Sequence, residues 1–218
     1  ILYDLTNSEQ HPLYETMAIA NNDRHYDFLR SIVLSSVSSN KRFLSHYLIQ
    51  ALNFHSIVCL HTSAGKYRPC EVSVNNHTPP RFYRVHDLMD DFINSVNVDF
   101  SSGSIDPVVL ASFVLWRLNF IHPFINGNGR TARACAYYVL CLSARGWIPG
   151  TPILPELIKQ NRTEYVMALE FADQTAKVGS LNLAPLHALL SRLLQQQLAS
   201  TQIAANTPST PSTPGSPA

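Results

Sequence analysis

The segment 108–121 constrains the fold of this 218-residue chain more than any other. Its sequence, VVLASFVLWRLNFI, is apolar nearly all round. A helix of that kind belongs in the centre of a core and not on its surface. Asp106 is a favourable N-cap residue and Pro107 suits the first helical position. Because Pro123 disfavours helical backbone at the residue before it, the sequence predicts a central helix that ends at His122.

Other periodic segments predict that the rest of the chain is mostly helical. A second central helix is expected to begin near Asn128 or Gly129 and to end at Gly146, a favourable C-cap. The spacing of apolar residues predicts further helices over 26–36, 41–54, 85–96, 154–176 and 183–198. The segment 66–74 shows partial alternation and is followed by Asn and Pro pairs, which indicates a strand or hairpin. We therefore expect a mostly α fold, a helical bundle around a central helix pair with one small β-hairpin.

Composition excludes several classes of protein. Hydrophobic residues make up 45% of the chain, and no stretch approaches the roughly 20 apolar residues that a membrane span requires. The net charge of +1 predicts neither a nucleic-acid partner nor binding to an anionic membrane. The cysteines form no C-x-x-C pair, so we expect neither a zinc site nor a disulfide framework. No leader segment is recognisable, and we expect a cytoplasmic protein, with a secreted effector as the alternative.

The chain divides into three parts on composition and pattern. We assign 1–60 to an N-terminal helical part and 61–198 to a core that contains the hairpin and the central helices. The remainder, 199–218, includes the uncharged sequence TPSTPSTPGSPA, which has almost no large apolar side chain. Such a segment cannot bury enough surface to offset its ordering entropy, so we expect a disordered tail.

A glycine-rich loop with the sequence HPFINGNGRTAR joins the two central helices. Unpaired N–H groups at the start of the second helix attract anions, and Gly127 and Gly129 let the backbone approach a ligand closely. Arg130 and Arg133 lie three residues apart and can reach the same anion. His122 can accept a proton from a hydroxyl group at neutral pH. Together these residues predict a phosphate site, whereas a plain turn with a structural histidine is the alternative.

The loop resembles the signature of the Fic family, H-P-F-x-[D/E]-G-N-G-R-x-x-R. The segment SAGKYRPCEVSVNNHTPP is similar to the β-hairpin "flap" that Fic proteins place upstream of this motif, and NRTEYVMALEFAD is similar to the later helix that closes over the nucleotide base. The likeness extends over about 20–195. It implies a compact helical domain that transfers AMP from ATP to a Ser, Thr or Tyr hydroxyl of a target protein.

The resemblance also implies roles for particular residues. His122 would be the general base for the incoming hydroxyl. The nucleotide would be held by the rest of the motif: Asn126, Gly127, Asn128, Gly129, Arg130, Thr131, Ala132 and Arg133. Backbone N–H groups of the loop, helped by the Asn128 side chain, would hold the α- and β-phosphates. The two arginines would bind the β- and γ-phosphates and stabilise the leaving pyrophosphate.

Two further groups of residues are implied outside the motif. In the flap, Val72, Ser73 and Val74 would align the target protein by strand addition, in which main-chain pairing needs no particular sequence. Tyr165 and Asp173 match positions that line the adenosine pocket. For these two residues, helix packing and surface exposure are the alternatives.

The chain departs from the family pattern at Asn126. Many Fic enzymes have Asp or Glu there, and that carboxylate helps to hold Mg²⁺. An amide oxygen ligates without charge, so we expect Asn126 to bind Mg²⁺ more weakly, with the metal still used. The related Doc toxins also carry Asn here, but they have Lys in place of the second glycine and transfer phosphate. Gly129 therefore favours nucleotidyl transfer, and the alternatives are transfer of UMP, phosphate or phosphocholine and a non-catalytic nucleotide-binding module.

The sequence lacks the inhibitory pattern [S/T]-x-x-x-E-[G/N] that restrains many Fic proteins. None of its six glutamates, which are Glu9, Glu15, Glu71, Glu156, Glu164 and Glu170, has Ser or Thr four residues earlier. The enzyme would then be unrestrained, or a separate inhibitory protein would restrain it, or a segment before Ile1 would do so. The target protein and the oligomeric state are left open by the sequence.

Overall fold

The computed structural model describes residues 1–74 and 77–206, and these form a bundle of α-helices. The helices are α1 (Leu2–Thr6), α2 (Pro12–Ser38), α3 (His46–Ile57), α4 (Val85–Ser102), α5 (Pro107–Ile121), α6 (Asn128–Ser143), α7 (Leu154–Gln160), α8 (Arg162–Lys177) and α9 (Ala184–Asn206). A 3-10 turn, Phe82–Arg84, leads into α4. The expectation of a mostly α fold is confirmed. Within the described ranges, no helix combines the length and the apolar character needed to cross a membrane.

The helices α5 and α6 form the centre of the bundle. The Asp106 carboxylate caps α5 by accepting hydrogen bonds from the backbone N–H groups of Val108 and Val109, at 2.8 and 3.1 Å. Leu115 of α5 and Tyr137 of α6 are fully buried, as is nearly every side chain on α6 after its first turn. The apolar pattern of α5 predicted a helix in the centre of the core, and neighbouring helices do cover α5 on several sides.

Several predicted boundaries were wrong. The helix expected over 154–176 is interrupted at Asn161, so α7 and α8 are separate. α2 begins well before residue 26, and α1 was not predicted at all. The tail expected to be disordered from residue 199 is helical as far as Asn206, where α9 ends, and 207–218 lies outside the described residues.

Buried polar contacts explain why α9 continues beyond residue 198. Gln197 is fully buried, and its amide nitrogen donates to the Tyr137 hydroxyl and to the Ile148 carbonyl, at 2.8 and 3.0 Å. Its amide oxygen accepts from the Leu154 backbone N–H at 2.7 Å. One turn later, the Ser200 hydroxyl accepts from the Thr151 N–H at 2.9 Å. These contacts join sequence-distant segments, so the local composition of the tail gives no sign of them.

The expected hairpin contains no regular strand in the part of the flap that the structure describes. Val74 and His77 form an isolated antiparallel bridge, in which each N–H donates to the other residue's carbonyl. The fully buried guanidinium of Arg68 connects the two arms of the flap in place of regular main-chain pairing. It donates to the Cys70 carbonyl on one arm and to the Pro80 carbonyl on the other. It also donates through Nε to the His122 carbonyl at 2.9 Å. One side chain therefore fastens the flap to the glycine-rich loop.

We predict that Arg68→Lys destabilises the protein by about 2–4 kcal/mol, because an ammonium group cannot donate to three divergent carbonyls and would remain buried. Urea unfolding followed by circular dichroism measures this change. The matched control is Arg81→Lys, because the Arg81 side chain is exposed and, in the described part of the chain, pairs only with the Glu71 carboxylate, at 3.4 Å. An equal effect of the two exchanges would contradict the role given to Arg68.

Candidate functional site

His122 lies where α5 ends and has a left-handed backbone, with φ 50° and ψ 58°. Few residues other than glycine adopt this conformation, so surrounding contacts must hold it in place. The His122 N–H donates to the Leu118 carbonyl at 3.0 Å, and its own carbonyl accepts from Arg68. The chain therefore turns sharply before Pro123, and the imidazole is directed into a cavity beside the start of α6.

The His122 ring is held as a neutral base. Its Nδ1 atom lies 3.4 Å from the Asn119 carbonyl oxygen, which only accepts, so Nδ1 carries the proton and Nε2 keeps a free lone pair. Burial lowers the pKa of His122 to about 4, and the positive charges of Arg68 and a protonated His77 act in the same direction. At neutral pH the imidazole is thus ready to accept a proton.

The glycine-rich loop is packed tightly against α3. Gly127 has φ 79°, and a Cβ atom there would lie 2.9 Å from both Asn53 Nδ2 and Ser56 Oγ. Asn53 is fully buried; its Nδ2 donates to the Asn126 carbonyl and its Oδ1 accepts from the Gly65 N–H, both at 2.9 Å. Sequence reasoning missed Asn53, because nothing local shows that α3 supports the loop.

Three residues of the motif are turned away from the cavity. The Asn128 side chain closes the loop on itself, since its Oδ1 accepts from the Phe124 N–H and its Nδ2 donates to the Phe124 carbonyl, at 2.9 and 2.8 Å. Thr131 is buried and its hydroxyl donates to the Gly127 carbonyl, while Ala132 is fully buried in the core. In this arrangement the Asn128 amide is already engaged by the protein backbone and is not free to help with phosphates.

A cavity of about 360 Å³ lies between α5, α8, the flap and the first turn of α6. It brings together six of the residues that the sequence singled out: Val74, His122, Gly129, Arg133, Tyr165 and Asp173. Val72 and Ser73 of the flap do not line it. Gly129, near the start of α6, and the basic side chain of Arg133 line the cavity together with His122. Tyr165 also lines it, and its hydroxyl accepts from Asn119 Nδ2 at 2.9 Å.

Arg162, Trp116 and His77 are among the cavity residues that sequence reasoning missed. Arg162 adds a second guanidinium beside Arg133, and Trp116 and His77 form part of the wall near Asp173. Arg162 begins the helix that contains Tyr165, so one helical turn separates the two and both face the cavity. Arg162 and Tyr165 share this face because α8 begins as a separate helix after Asn161. The sequence did not reveal that break between α7 and α8.

Arg130 and Arg133 point to different places, although they are three residues apart. Arg133 lines the cavity with His122, and its buried Nε atom has no hydrogen-bond partner among the described residues. Arg130 instead donates to the Ser56 carbonyl at 2.8 Å and to Asn126 Oδ1 at 3.1 Å. It faces a second cavity, of about 440 Å³, which adjoins the first at Arg133 and is also lined by Arg162 and Lys159.

The surroundings of Asn126 do not fit a magnesium ion. Its Oδ1 atom is 3.1 Å from the Arg130 guanidinium, and its Nδ2 donates to Glu9 Oε1 at 2.9 Å. A divalent cation on that oxygen would lie next to a positive charge, which is electrostatically unfavourable. Over the described ranges, no group of three His, Cys, Asp or Glu side chains could hold a metal ion. Any Mg²⁺ that accompanies a nucleotide would have to be held mainly by the phosphates.

Comparison with known proteins agrees with this arrangement. Residues 44–140 match the family model described as Fic/DOC family. This segment of the chain is similar to that family. It is 36% identical over 110 residues to "Protein adenylyltransferase Fic" of Drosophila willistoni, a match that covers 50% of this chain and 20% of the relative. The chain thus spans about a fifth of the length of the curated relatives that it matches.

Solved structures show the same fold. Residues 134–508 of Fic-1 from Caenorhabditis elegans superpose with a TM-score of 0.65 and 23% identity, over 86% of this chain and 52% of that one. A structure described as IbpAFic2 covalently tethered to Cdc42 superposes with a TM-score of 0.53 and 17% identity, over 83% of this chain and 56% of that one. The Fic-type helical bundle expected from the sequence is confirmed.

We predict that Gly127→Ala and Gly129→Ala have different consequences. Alanine at 127 would be strained at φ 79° and would press on Asn53 and Ser56, so the free energy of unfolding should fall by about 2–4 kcal/mol. Alanine at 129 would meet only the flexible end of Arg133, at 3.3 Å, so the fold should survive.

Urea unfolding and nucleotide binding by calorimetry separate the two effects. Gly129→Ala should weaken ATP binding about tenfold with a nearly unchanged unfolding midpoint, since it displaces Arg133 and crowds the phosphate approach. Unweakened ATP binding by a folded Gly129→Ala protein would remove this part of the loop from the nucleotide site.

Proposed function

We propose that this chain is a protein adenylyltransferase, which transfers AMP from ATP to a hydroxyl group of a target protein. The observation that carries the proposal is the position of the neutral His122 imidazole, which lines the same cavity as Arg133 and the start of α6. A base, a guanidinium and free helix N–H groups around one cavity suit transfer of a phosphoryl group to an alcohol. The matched relatives bear the name of this activity.

The proposed reaction is a displacement at the α-phosphorus of ATP. The target hydroxyl loses its proton to His122 Nε2 while its oxygen forms a bond to the α-phosphorus. The bond from that phosphorus to the oxygen bridging to the β-phosphate breaks, and pyrophosphate leaves. Arg133, which lines the cavity, stabilises the charge that develops on the leaving pyrophosphate. AMP is left as an ester on the target side chain.

The residues that line the cavity suggest how ATP would be held. The triphosphate would lie near Gly129, Arg133 and Arg162. The base would lie against Tyr165 and Trp116, whose rings offer flat apolar surfaces. In this proposal Mg²⁺ enters as the cation bound by the phosphates of ATP, and no step depends on Asn126.

The flap supplies the proposed contact with the target protein. Val74 lines the cavity, and Val72 and Ser73 precede it on an arm that has no strand partner in the described part of the chain. An extended segment of the target could pair with this arm through main-chain hydrogen bonds. A Fic structure tethered to Cdc42 supports a protein as the substrate. A separate inhibitory protein stays one of the three alternatives for restraint that the sequence leaves open.

We predict that His122→Ala abolishes AMP transfer and retains ATP binding, because the variant loses only the base. Incubation of a cell lysate with α-³²P-ATP and Mg²⁺, followed by mass spectrometry for the added AMP mass, measures transfer. We expect the rate to fall at least about a hundredfold. The matched control is His187→Ala, since His187 is partly exposed and lies away from the cavity.

The outcomes of this assay separate the competing activities. Equal labelling by His122→Ala would remove His122 from the mechanism. Label taken only from UTP, from γ-labelled ATP or from CDP-choline would replace AMP transfer by another transfer. Bound ATP without turnover at any Mg²⁺ concentration would leave a nucleotide-binding module.

The depressed pKa of His122 predicts the acid side of the pH–rate profile. Because the base must be unprotonated and its pKa is lowered to about 4, the rate should be insensitive to this group at neutral pH and should fall only as pH drops through about 4. Initial rates with circular dichroism at each pH, to confirm folding, test this. A fall centred near pH 6.5, with the protein still folded, would show that His122 is not held in the buried neutral state.

A further inference from the structure

The His77 ring sits between two groups that can only accept hydrogen bonds. Its Nδ1 atom is 3.0 Å from Asp173 Oδ2, and its Nε2 atom is 2.9 Å from the Phe120 carbonyl oxygen. A neutral imidazole carries one N–H and would leave the second contact as two facing lone pairs. Both contacts are satisfied together only when both ring nitrogens are protonated. The closed arrangement therefore contains an imidazolium.

The partners of His77 are themselves fixed. The other oxygen of Asp173, Oδ1, accepts from Trp116 Nε1 at 2.8 Å. The side chains of His77 and Asp173 are only 17% and 16% exposed. Asp173 belongs to α8, whereas Trp116 and Phe120 belong to α5. One histidine from the flap thus contacts both α5 and α8, two helices that line the cavity.

His77 is also the residue that pairs with Val74 in the flap. The His77 N–H donates to the Val74 carbonyl at 2.8 Å, and the Val74 N–H donates back at 3.3 Å. Val74 lines the cavity and adjoins the arm proposed to hold the target protein. Any movement of the His77 ring out of its seat would therefore move the wall of the nucleotide cavity and the target-binding arm together.

We propose that protonated His77 is a positioning residue, which latches the flap across α5 and α8 and so closes the nucleotide cavity. The role in transfer rests on the adenylyltransferase function proposed above, whereas the latch itself does not. This proposal gives Asp173 a role other than the one implied by the family resemblance, because both of its carboxylate oxygens are bonded within the latch. Its part in the site is to hold the flap through His77, and not to read the base directly.

The charged groups around His77 favour the protonated ring on balance. The Asp173 carboxylate raises the pKa of His77 above its ordinary value, and the Phe120 carbonyl does the same, whereas burial and the Lys177 ammonium oppose them. Other charged or titratable groups that face the same region are His122, Arg133, Arg162 and Glu170 around the cavity, with Arg117 stacked on Phe120. His122 is neutral at the pH at which His77 is charged, so the two rings do not repel strongly.

The sign of the pH dependence follows from the raised pKa. The latch is complete at pH values below the raised pKa and is lost as pH rises through it, because the neutral ring keeps only one of its two hydrogen bonds. Since the pKa of His122 is lowered to about 4, transfer should have a bell-shaped profile. The acid side belongs to His122 and the alkaline side to His77.

The latch is tested without any enzyme activity by titrating the histidines with NMR. The His77 signal is assigned by its loss in His77→Gln, and we expect its pKa to lie above the ordinary value for histidine. Asp173→Asn should bring its pKa back to or below the ordinary range. A wild-type His77 that titrates at or below ordinary values would overturn the proposal, as would a titration unmoved by Asp173→Asn.

Hydrogen exchange of the backbone measures closure of the flap. The Val74 and His77 amides, which are paired with each other, should exchange slowly below the pKa of His77 and, after correction for intrinsic rates, at least about tenfold faster above it. His77→Gln should exchange fast at every pH. The control is His187→Gln, since the His187–Asp106 pair is 4.0 Å apart and largely exposed, and it should behave as wild type. Corrected exchange independent of pH in the wild type would contradict the latch.

The pH–rate profile then links the latch to transfer. His77→Gln should lose the alkaline fall and keep the acid fall near pH 4, with a rate at neutral pH lowered roughly tenfold. Persistence of the alkaline fall in that variant would overturn the positioning role. If titration and exchange behave as expected but no nucleotide is transferred, the adenylyltransferase proposal fails while the latch stands.

Discussion

The burial of most of α5 is the constraint on which the rest of the structure depends. A helix with so few polar side chains is stable only when other helices cover it, and α6 provides most of that cover. Because α5 and α6 must lie side by side, the six residues between them have to reverse the chain over a short distance. The left-handed backbone of His122 and of Gly127 makes that reversal possible. The site is therefore a consequence of how the central pair is joined.

Buried polar side chains replace regular main-chain pairing around this junction. Arg68 binds carbonyls of the flap and of His122, Asn53 binds the loop from α3, and Asn128 closes the loop on Phe124. The hydrogen bonds of each side chain are satisfied, either by residues distant in the sequence or by the backbone of the turn itself. Such networks stabilise one arrangement over its alternatives, since leaving a buried donor without a partner is costly. The cavity is thus built on rigid support, apart from the flap that covers it.

The sequence allowed about half of the candidate site to be placed. His122, Gly129 and Arg133 line the cavity because a helix start has a predictable direction, and residues four apart, such as Gly129 and Arg133, lie on one face of a helix. Arg130 and Asn126 were expected there too, but they turn toward α3 and the N-terminal segment. That outcome depends on Ser56 and Glu9, whose positions no local pattern reveals. The catalytic and binding roles themselves remain predictions.

The sequence by itself determined the helical class, the buried central helix and the chemistry of the loop, because hydrophobic period, caps and glycines act over a few residues. Only the tertiary structure decided which motif side chains face the cavity, that α9 extends to Asn206, and that His77 bridges α5 and α8. Those features depend on contacts between segments that are far apart in the chain. Local propensity does not encode such contacts, since they form only when packing brings the helices together.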